Sequence, residues 1–208
     1  MNSVPELIYI ADAMCSWCWG FVPVMDKLRE DFISQLSFRL VMGGLRPGDA
    51  AVPMDAEMKT HLRTHWQAVE ARSGQAFSWD WLDREGFVYD TEPAARAVVA
   101  VRRLAPTREY EFFHATQAAF YAFGRDVTQE NVLMSLAIET GLDAQEFRLC
   151  YRENNTLSMT HADFRLTQEL GVHGFPSVLL RDADKLTSVA QGYLPYERLE
   201  PVLRGLLS

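Results

Sequence analysis

Cysteine carries the most distinctive chemistry in this sequence, and its three copies are placed unequally. Cys15 and Cys18 form a Cys-x-x-Cys, whereas Cys150 stands alone far along the chain. The pair follows a short apolar, β-prone run, Leu7-Ile8-Tyr9-Ile10. It precedes a segment in which Phe21, Val24, Met25, Leu28 and Phe32 recur at steps of three and four. That period marks one buried helix face, so the pair sits where a strand ends and a helix begins. Free backbone N–H groups at a helix start, together with the macrodipole, favour a thiolate there. A thiolate is the attacking species in thiol–disulfide exchange, and a second thiol three residues on can close a small disulfide ring. The spacing predicts that Cys15 faces solvent and attacks while Cys18 is shielded behind it. Dithiol redox chemistry is the reading the pair supports.

Two other readings of the cysteines are weaker. Structural zinc needs four ligands. No second Cys-x-x-Cys and no His pair at finger spacing follows; His61 and His65 share a helix face but lie far off in sequence. No metal is expected. Three thiols are also too few for a disulfide framework. Cys150 falls with Phe147 and Tyr151 on the apolar face of a short helical pattern, where a free cysteine behaves as a small hydrophobe.

The elements that must position the pair can be followed along the chain. A second strand runs from Leu36 to Met42 and is broken by Gly43-Gly44-Leu45-Arg46-Pro47-Gly48. From about residue 54 to 171 the pattern is almost wholly helical. Met58, Leu62, Trp66 and Val69 stripe a helix ending near Gly74, and an aromatic loop then leads to Phe87-Val88-Tyr89. Ala94 to Leu104 is a helix stopped by Pro106, and Phe113, Phe120 and Phe123 stripe the next one. Thr128 is expected to cap a helix through Ile138 that Gly141 closes. Asp143 and Glu146 open the helix holding Cys150, and a further helix spans roughly Leu157 to Leu170. The β pattern then resumes: Val178-Leu179-Leu180, a turn at Asp182-Ala183-Asp184-Lys185, and a returning strand Leu186 to Ala190. Leu199, Val202, Leu203 and Leu206 stripe a final helix, in which Pro201 marks a kink or a later start. A right-handed β-α-β and a hairpin give an α/β fold: a four-stranded mixed sheet with helices on both faces. A large all-helical insertion lies between its second and third strands and caps one edge.

Composition narrows the function classes. The 208 residues carry 28 acidic and 20 basic side chains, a formal net charge of −8. A nucleic-acid partner demands a basic face, so none is expected. No stretch reaches the ~20 apolar residues of a membrane span, and no membrane association is expected. Met1-Asn2-Ser3-Val4-Pro5-Glu6 lacks the positive start and long apolar centre of a secretory signal. If it is the natural start, a cytoplasmic address follows, where thiols are kept mostly reduced.

Three segments together resemble one family. Met14-Cys15-Ser16-Trp17-Cys18-Trp19-Gly20-Phe21, the Gly43 to Gly48 turn, and Gly171-Val172-His173-Gly174-Phe175-Pro176 are similar to the DsbA-like branch of the thioredoxin superfamily. The match is nearer to its signal-less members, described as protein-disulfide isomerases and related to FrnE. The resemblance implies a thioredoxin-like domain split between residues 1–52 and 172–208, with residues 53–171 as an inserted helical domain. It also implies a cis peptide between Phe175 and Pro176, packed beside the Cys15 sulfur. In the family that loop pairs with an extended substrate through the backbone of the residue before the proline, a form of strand addition.

Departures from the family pattern are informative. Many relatives have proline where Ser16 stands, and FrnE-type relatives carry a second, distant cysteine pair that is absent here, so no two-site relay is expected. Trp17 either offers apolar contact to loosely folded substrates or leans inward as packing, while Trp19 is read as packing. His173 is read as a solvated loop residue. Asp12 fits either a strand-end cap or a proton acceptor for Cys18.

The expected activity is dithiol–disulfide exchange on protein or peptide disulfides, in the reductase or isomerase direction. Cys15 and Cys18 would be catalytic, and Trp17, Phe175 and Pro176 would bind substrate. No cofactor beyond the dithiol is expected; an unidentified thiol reductant, for which glutathione would serve, restores it. One rival is a kappa-type glutathione-dependent transferase or isomerase, whose single nucleophile site has no use for Cys18. The other is a non-enzymatic polypeptide-binding module using the Trp17–Phe175 surface.

Overall fold

The computed structural model describes residues 4–207; Met1-Asn2-Ser3, part of the N-terminal segment read above, lie outside the described residues. The four-stranded sheet has the order β2-β1-β5-β6. Strand β1 (Glu6–Ala11) pairs parallel with β2 (Ser37–Met42), Glu6 opposite Ser37 and Ala11 opposite Met42. On its other side β1 runs antiparallel to β5 (Ser177–Asp182), Ile10 opposite Ser177. Strand β6 (Lys185–Gln191) returns from β5 through a tight turn in which Ala183 takes a left-handed φ of 49°.

β1 is apolar throughout because both its faces are covered. Leu7, Tyr9 and Ala11 pack into the larger core with helix α1 (Ser16–Asp31). Ile8 and Ile10 meet Val41, Val172 and Leu179 on the opposite face. Between β2 and β5 the chain forms a two-residue ladder, β3 (Val52–Pro53) with β4 (Val88–Tyr89), and six helices. These are α2 (Ala56–Ser73), α3 (Glu92–Leu104), α4 (Glu109–Tyr121), α5 (Glu130–Glu139), α6 (Ala144–Arg152) and α7 (Asn154–Glu169). Helix α8 (Tyr196–Leu207) closes the chain.

The insertion does more than cap an edge. Helices α2 and α4 pack on α1 and α7 packs on β2, while Leu166 and Leu170 cover the second sheet face. Arg102 joins these layers. It donates to Glu109 at 2.6 Å, to Asp163 at 2.7 Å and to the Leu40 carbonyl at 3.0 Å, and Asp163 also accepts the Met42 N–H.

Local chemistry sets several helix ends. Asp55 caps α2 by accepting the Met58 N–H, and Gly74 ends it at a φ of 74°. Asp143 accepts from the Gln145 and Glu146 amides at the start of α6. Pro23, inside α1, has no N–H for the Trp19 carbonyl, and the Gln75 side-chain amide donates to that carbonyl instead, at 3.1 Å.

Four readings of the sequence need correction. Thr128 is not the cap of α5; Gln129 precedes that helix, and Thr128 is held in the turn before it by Asp126. Phe123 lies past the end of α4 and is 72% exposed, because the chain has already turned toward Gly124. Val88 and Tyr89 form a strand rather than part of a helical block. Pro201 does not mark a later start of α8, which runs through it from Tyr196. The Glu197 carbonyl that its missing N–H leaves free belongs to an exposed residue on the solvent side.

Candidate active site

The site begins where β1 ends. Asp12 follows Ala11 and uses both carboxylate oxygens: Oδ1 accepts the Met14 N–H at 2.9 Å and Oδ2 the Leu45 N–H at 2.8 Å. One buried side chain thus ties the β1–α1 turn to the glycine turn after β2. Asp12 is a strand-end cap, and burial pushes its carboxyl above the usual value, against the opposing pull of those two amides. Its backbone carbonyl accepts the Cys15 N–H at 3.1 Å.

Cys15 is the N-cap of α1 and Cys18 lies in the first turn, the two near each other. The expected order of exposure holds only in part. Cys18 is fully enclosed, but Cys15 is 8% exposed and does not stand out into solvent. Its sulfur sits at the wall of a cavity of about 210 Å³ that Trp17, Leu45, Tyr89 and Phe175 also line. Burial pushes the Cys18 thiol well above the usual value, and its hydrogen bond with Cys15 and the charge of Cys15 add to that. Cys18 is therefore a thiol at neutral pH.

The loop before β5 closes the site. The Phe175–Pro176 peptide is cis, as the resemblance implied. The Cys15 thiol donates to the Phe175 carbonyl oxygen at 3.7 Å. The Phe175 ring lies over Gly43, where a β-carbon would stand 2.3 Å from Cε1. Glycine at the end of β2 is therefore what lets the ring lie there. Pro176 is buried, and its carbonyl accepts the Gly192 N–H at 2.7 Å.

Trp17 is half-buried, its ring 5.6 Å from that of Tyr193, and with Phe175 it borders a second, shallower cavity. Trp19 packs as expected. It stacks on Tyr121 with centroids 6.3 Å apart, and its Nε1 donates to the Ala76 carbonyl at 3.0 Å. His173 is exposed and lines a different cavity, one that Cys15 does not line. Cys150 is buried, its thiol directed at the Ala100 carbonyl, far from the pair in the helical region.

Several residues at the sulfur were not found from the sequence. Tyr89 donates to the Met14 carbonyl beside Cys15, with the Tyr121 hydroxyl 3.3 Å away. His61 and His65 line the Cys15 cavity together with Arg46. Only the shared helix face of the two histidines was visible in advance. Among the described residues no cluster of three or more His, Cys, Asp or Glu side chains could hold a metal ion. No helix among them is long and apolar enough to cross a membrane.

Comparison with known proteins places this geometry. A candidate protein disulfide isomerase from Nitrosomonas europaea is 35% identical, covering 99% of this chain and 98% of its own, with a TM-score of 0.92. The cytosolic disulfide reductase DsbM from Pseudomonas aeruginosa is 25% identical over 97% of this chain and 98% of its own, with a TM-score of 0.80. DsbM has also been solved with GSH. The ClpXP adapter protein SpxH from Bacillus subtilis is 22% identical over 175 residues. That match covers 83% of this chain, which spans only 57% of the adapter's length. The model of the DSBA-like thioredoxin domain matches residues 6–204. The chain belongs to the DSBA-like thioredoxin domain family.

Proposed function

We propose that this protein carries out dithiol–disulfide exchange on protein or peptide disulfides. The Cys15 thiolate attacks one sulfur of the substrate disulfide, forming a mixed disulfide and releasing the other sulfur as a thiolate. Cys18 loses its proton and attacks the Cys15 sulfur, forming the Cys15–Cys18 disulfide and releasing the second substrate thiolate. Two electrons pass to the substrate, and an external thiol returns them to the pair. If a different thiol of the substrate attacks the substrate sulfur of the mixed disulfide before Cys18 does, a new substrate disulfide forms, the Cys15 thiolate leaves, and the outcome is isomerisation.

The observation that carries this reading is the hydrogen bond from the Cys15 thiol to the carbonyl preceding the cis proline. It sets the attacking sulfur against backbone able to add a substrate strand. Trp17, Phe175 and Pro176 form that docking surface. The likeness to DsbM, a cytosolic disulfide reductase, supports a cytoplasmic setting and the reductive or isomerising direction. The DsbM structure with GSH supports glutathione as the restoring thiol.

The test is turnover of insulin and of a small disulfide with glutathione by the wild type, Cys15→Ser and Cys18→Ser proteins. Turnover that requires both sulfurs supports the reading; turnover by Cys15→Ser contradicts it. A chloroaromatic acceptor with glutathione should give no transferase activity. The SpxH relatives support a second reading, an adapter that binds polypeptide without exchange. Binding retained in a Cys15→Ser/Cys18→Ser double variant, with no turnover by the wild type, would favour it.

A further inference from the structure

The chain is acidic, with 28 acidic against 20 basic side chains, but the surroundings of the attacking sulfur are not. Arg46, from the turn after β2, and His61 and His65, one turn apart on α2, line the Cys15 cavity, and no Asp or Glu lines it. Across Trp17, Arg72 borders the neighbouring cavity, again without an acid among its lining residues. Among the described residues none of these four basic side chains makes an ion pair. The Arg46 and Arg72 guanidiniums instead lie 5.4 and 5.5 Å from the ring centres of Tyr89 and Tyr193.

We propose that this cavity selects disulfides bearing carboxylate groups, and that Arg46, His61 and His65 set the preference. The inference rests on the exchange chemistry above and names its substrate class. Three cationic or protonatable side chains from two elements converge on the space a substrate's flanking groups must occupy. Arg46 and His61 also line an adjoining cavity with Asp55 and Glu57, neither of which lines the Cys15 cavity; Asp12, which the Arg46 charge reaches, is buried with both oxygens engaged. Tyr89 and Cys15 complete the titratable groups on this wall.

The histidine pair makes the preference depend on pH. The two rings are 4.2 Å apart, and burial together with the charge of His61 holds His65 below the usual imidazole value. An arriving carboxylate favours the protonated form of His65, so binding draws in a proton and strengthens as the pH falls.

The experiment follows exchange by the full chain with excess dithiothreitol and three small disulfides of similar size. These are anionic 3,3′-dithiodipropionate, neutral 2-hydroxyethyl disulfide and cationic cystamine, each rate being divided by that of dithiothreitol alone. The expected normalised kcat/KM is highest for the anion and lowest for the cation. The ends differ by about tenfold in slightly acidic buffer, as a few exposed charge contacts should give. The ratio should shrink in alkaline buffer and in high salt, and in H61Q/H65Q it should lose its pH dependence. Equal normalised rates, or a faster cation, overturn the proposal.

A second readout does not need turnover. Adipate, but not 1,6-hexanediol, should protect Cys15 from iodoacetamide, and a lack of protection also overturns the proposal. Protection without turnover of any disulfide supports the carboxylate site while overturning the exchange reading. Acidic and basic peptide disulfides of matched length distinguish the source. A preference extending to the acidic peptide supports a protein segment, and one confined to the small anion supports a small-molecule substrate.

Discussion

The Cys15 thiol donates to the Phe175 carbonyl oxygen at 3.7 Å, joining residues 160 positions apart. This bond brings the start of α1 to the loop that opens β5, and the β1–β5 pairing holds the two segments there. Cys18, one turn deeper, is enclosed and protonated, so the two thiols differ in access and in protonation cost.

That asymmetry predicts which variant traps substrate. Cys18→Ser should accumulate mixed disulfides through Cys15, visible as reductant-sensitive adducts on non-reducing gels. Cys15→Ser should accumulate none. Adducts on Cys15→Ser would mean that the roles of the sulfurs are reversed.

Resolution should depend on pH. Burial keeps Cys18 protonated, so release of a preformed mixed disulfide should accelerate by about tenfold per pH unit through the neutral range, following the thiolate fraction. The Asp12 charge opposes Cys18 ionisation, so Asp12→Asn should move this profile to lower pH. Slower release in Asp12→Asn would show instead that Asp12 takes the Cys18 proton. Stopped-flow tryptophan fluorescence follows the step, since Trp17 and Trp19 flank Cys18.

Gly43→Ala should displace the Phe175 ring, because the added carbon would stand 2.3 Å from it. Overpacking of this kind costs about 1–3 kcal/mol. The expected result is a raised KM for peptide disulfides with the fold retained. Gly20→Ala is the contrasting variant. Its β-carbon would stand 2.6 Å from Cγ1 of the buried Val69, between α1 and α2. It should lower the melting temperature without a selective effect on peptide KM.

Asp163→Ala should be severely destabilising. It would remove a carboxylate that serves both Arg102 and the Met42 N–H and leave a largely buried guanidinium short of a partner. Breaking a buried pair from one side costs about 3–5 kcal/mol, measurable by urea unfolding. A loss below ~1 kcal/mol, the range of an exposed pair, would contradict this role.

The sheet was readable from the sequence because β1, β2 and the β5–β6 hairpin are short apolar runs bounded by turn residues, a strictly local signal. Strand β3 was not readable: Val52–Pro53 is two residues long and exists only through its pairing with β4. The placement of Cys18 followed from its spacing on α1. The burial of Cys15 did not, because Leu45, Tyr89 and Phe175, which wall it in, come from three distant segments. His61 and His65 were visible as a pair on one helix face, but nothing in their local sequence shows that α2 packs against α1 and turns them toward the sulfur. Asp12 was legible as a cap or an acid, and only the positions of the Met14 and Leu45 amides make it a cap.

The most direct test is equilibration of the protein with glutathione redox buffers, followed by quantitative alkylation and mass spectrometry of each cysteine. The account predicts that Cys15 and Cys18 lose their free thiols together, as an intramolecular disulfide, and regain them together as the buffer becomes reducing. Cys150 should remain a free thiol throughout. Stable glutathione adducts on Cys15 with Cys18 still free, or no oxidation of the pair at any buffer ratio, would contradict it.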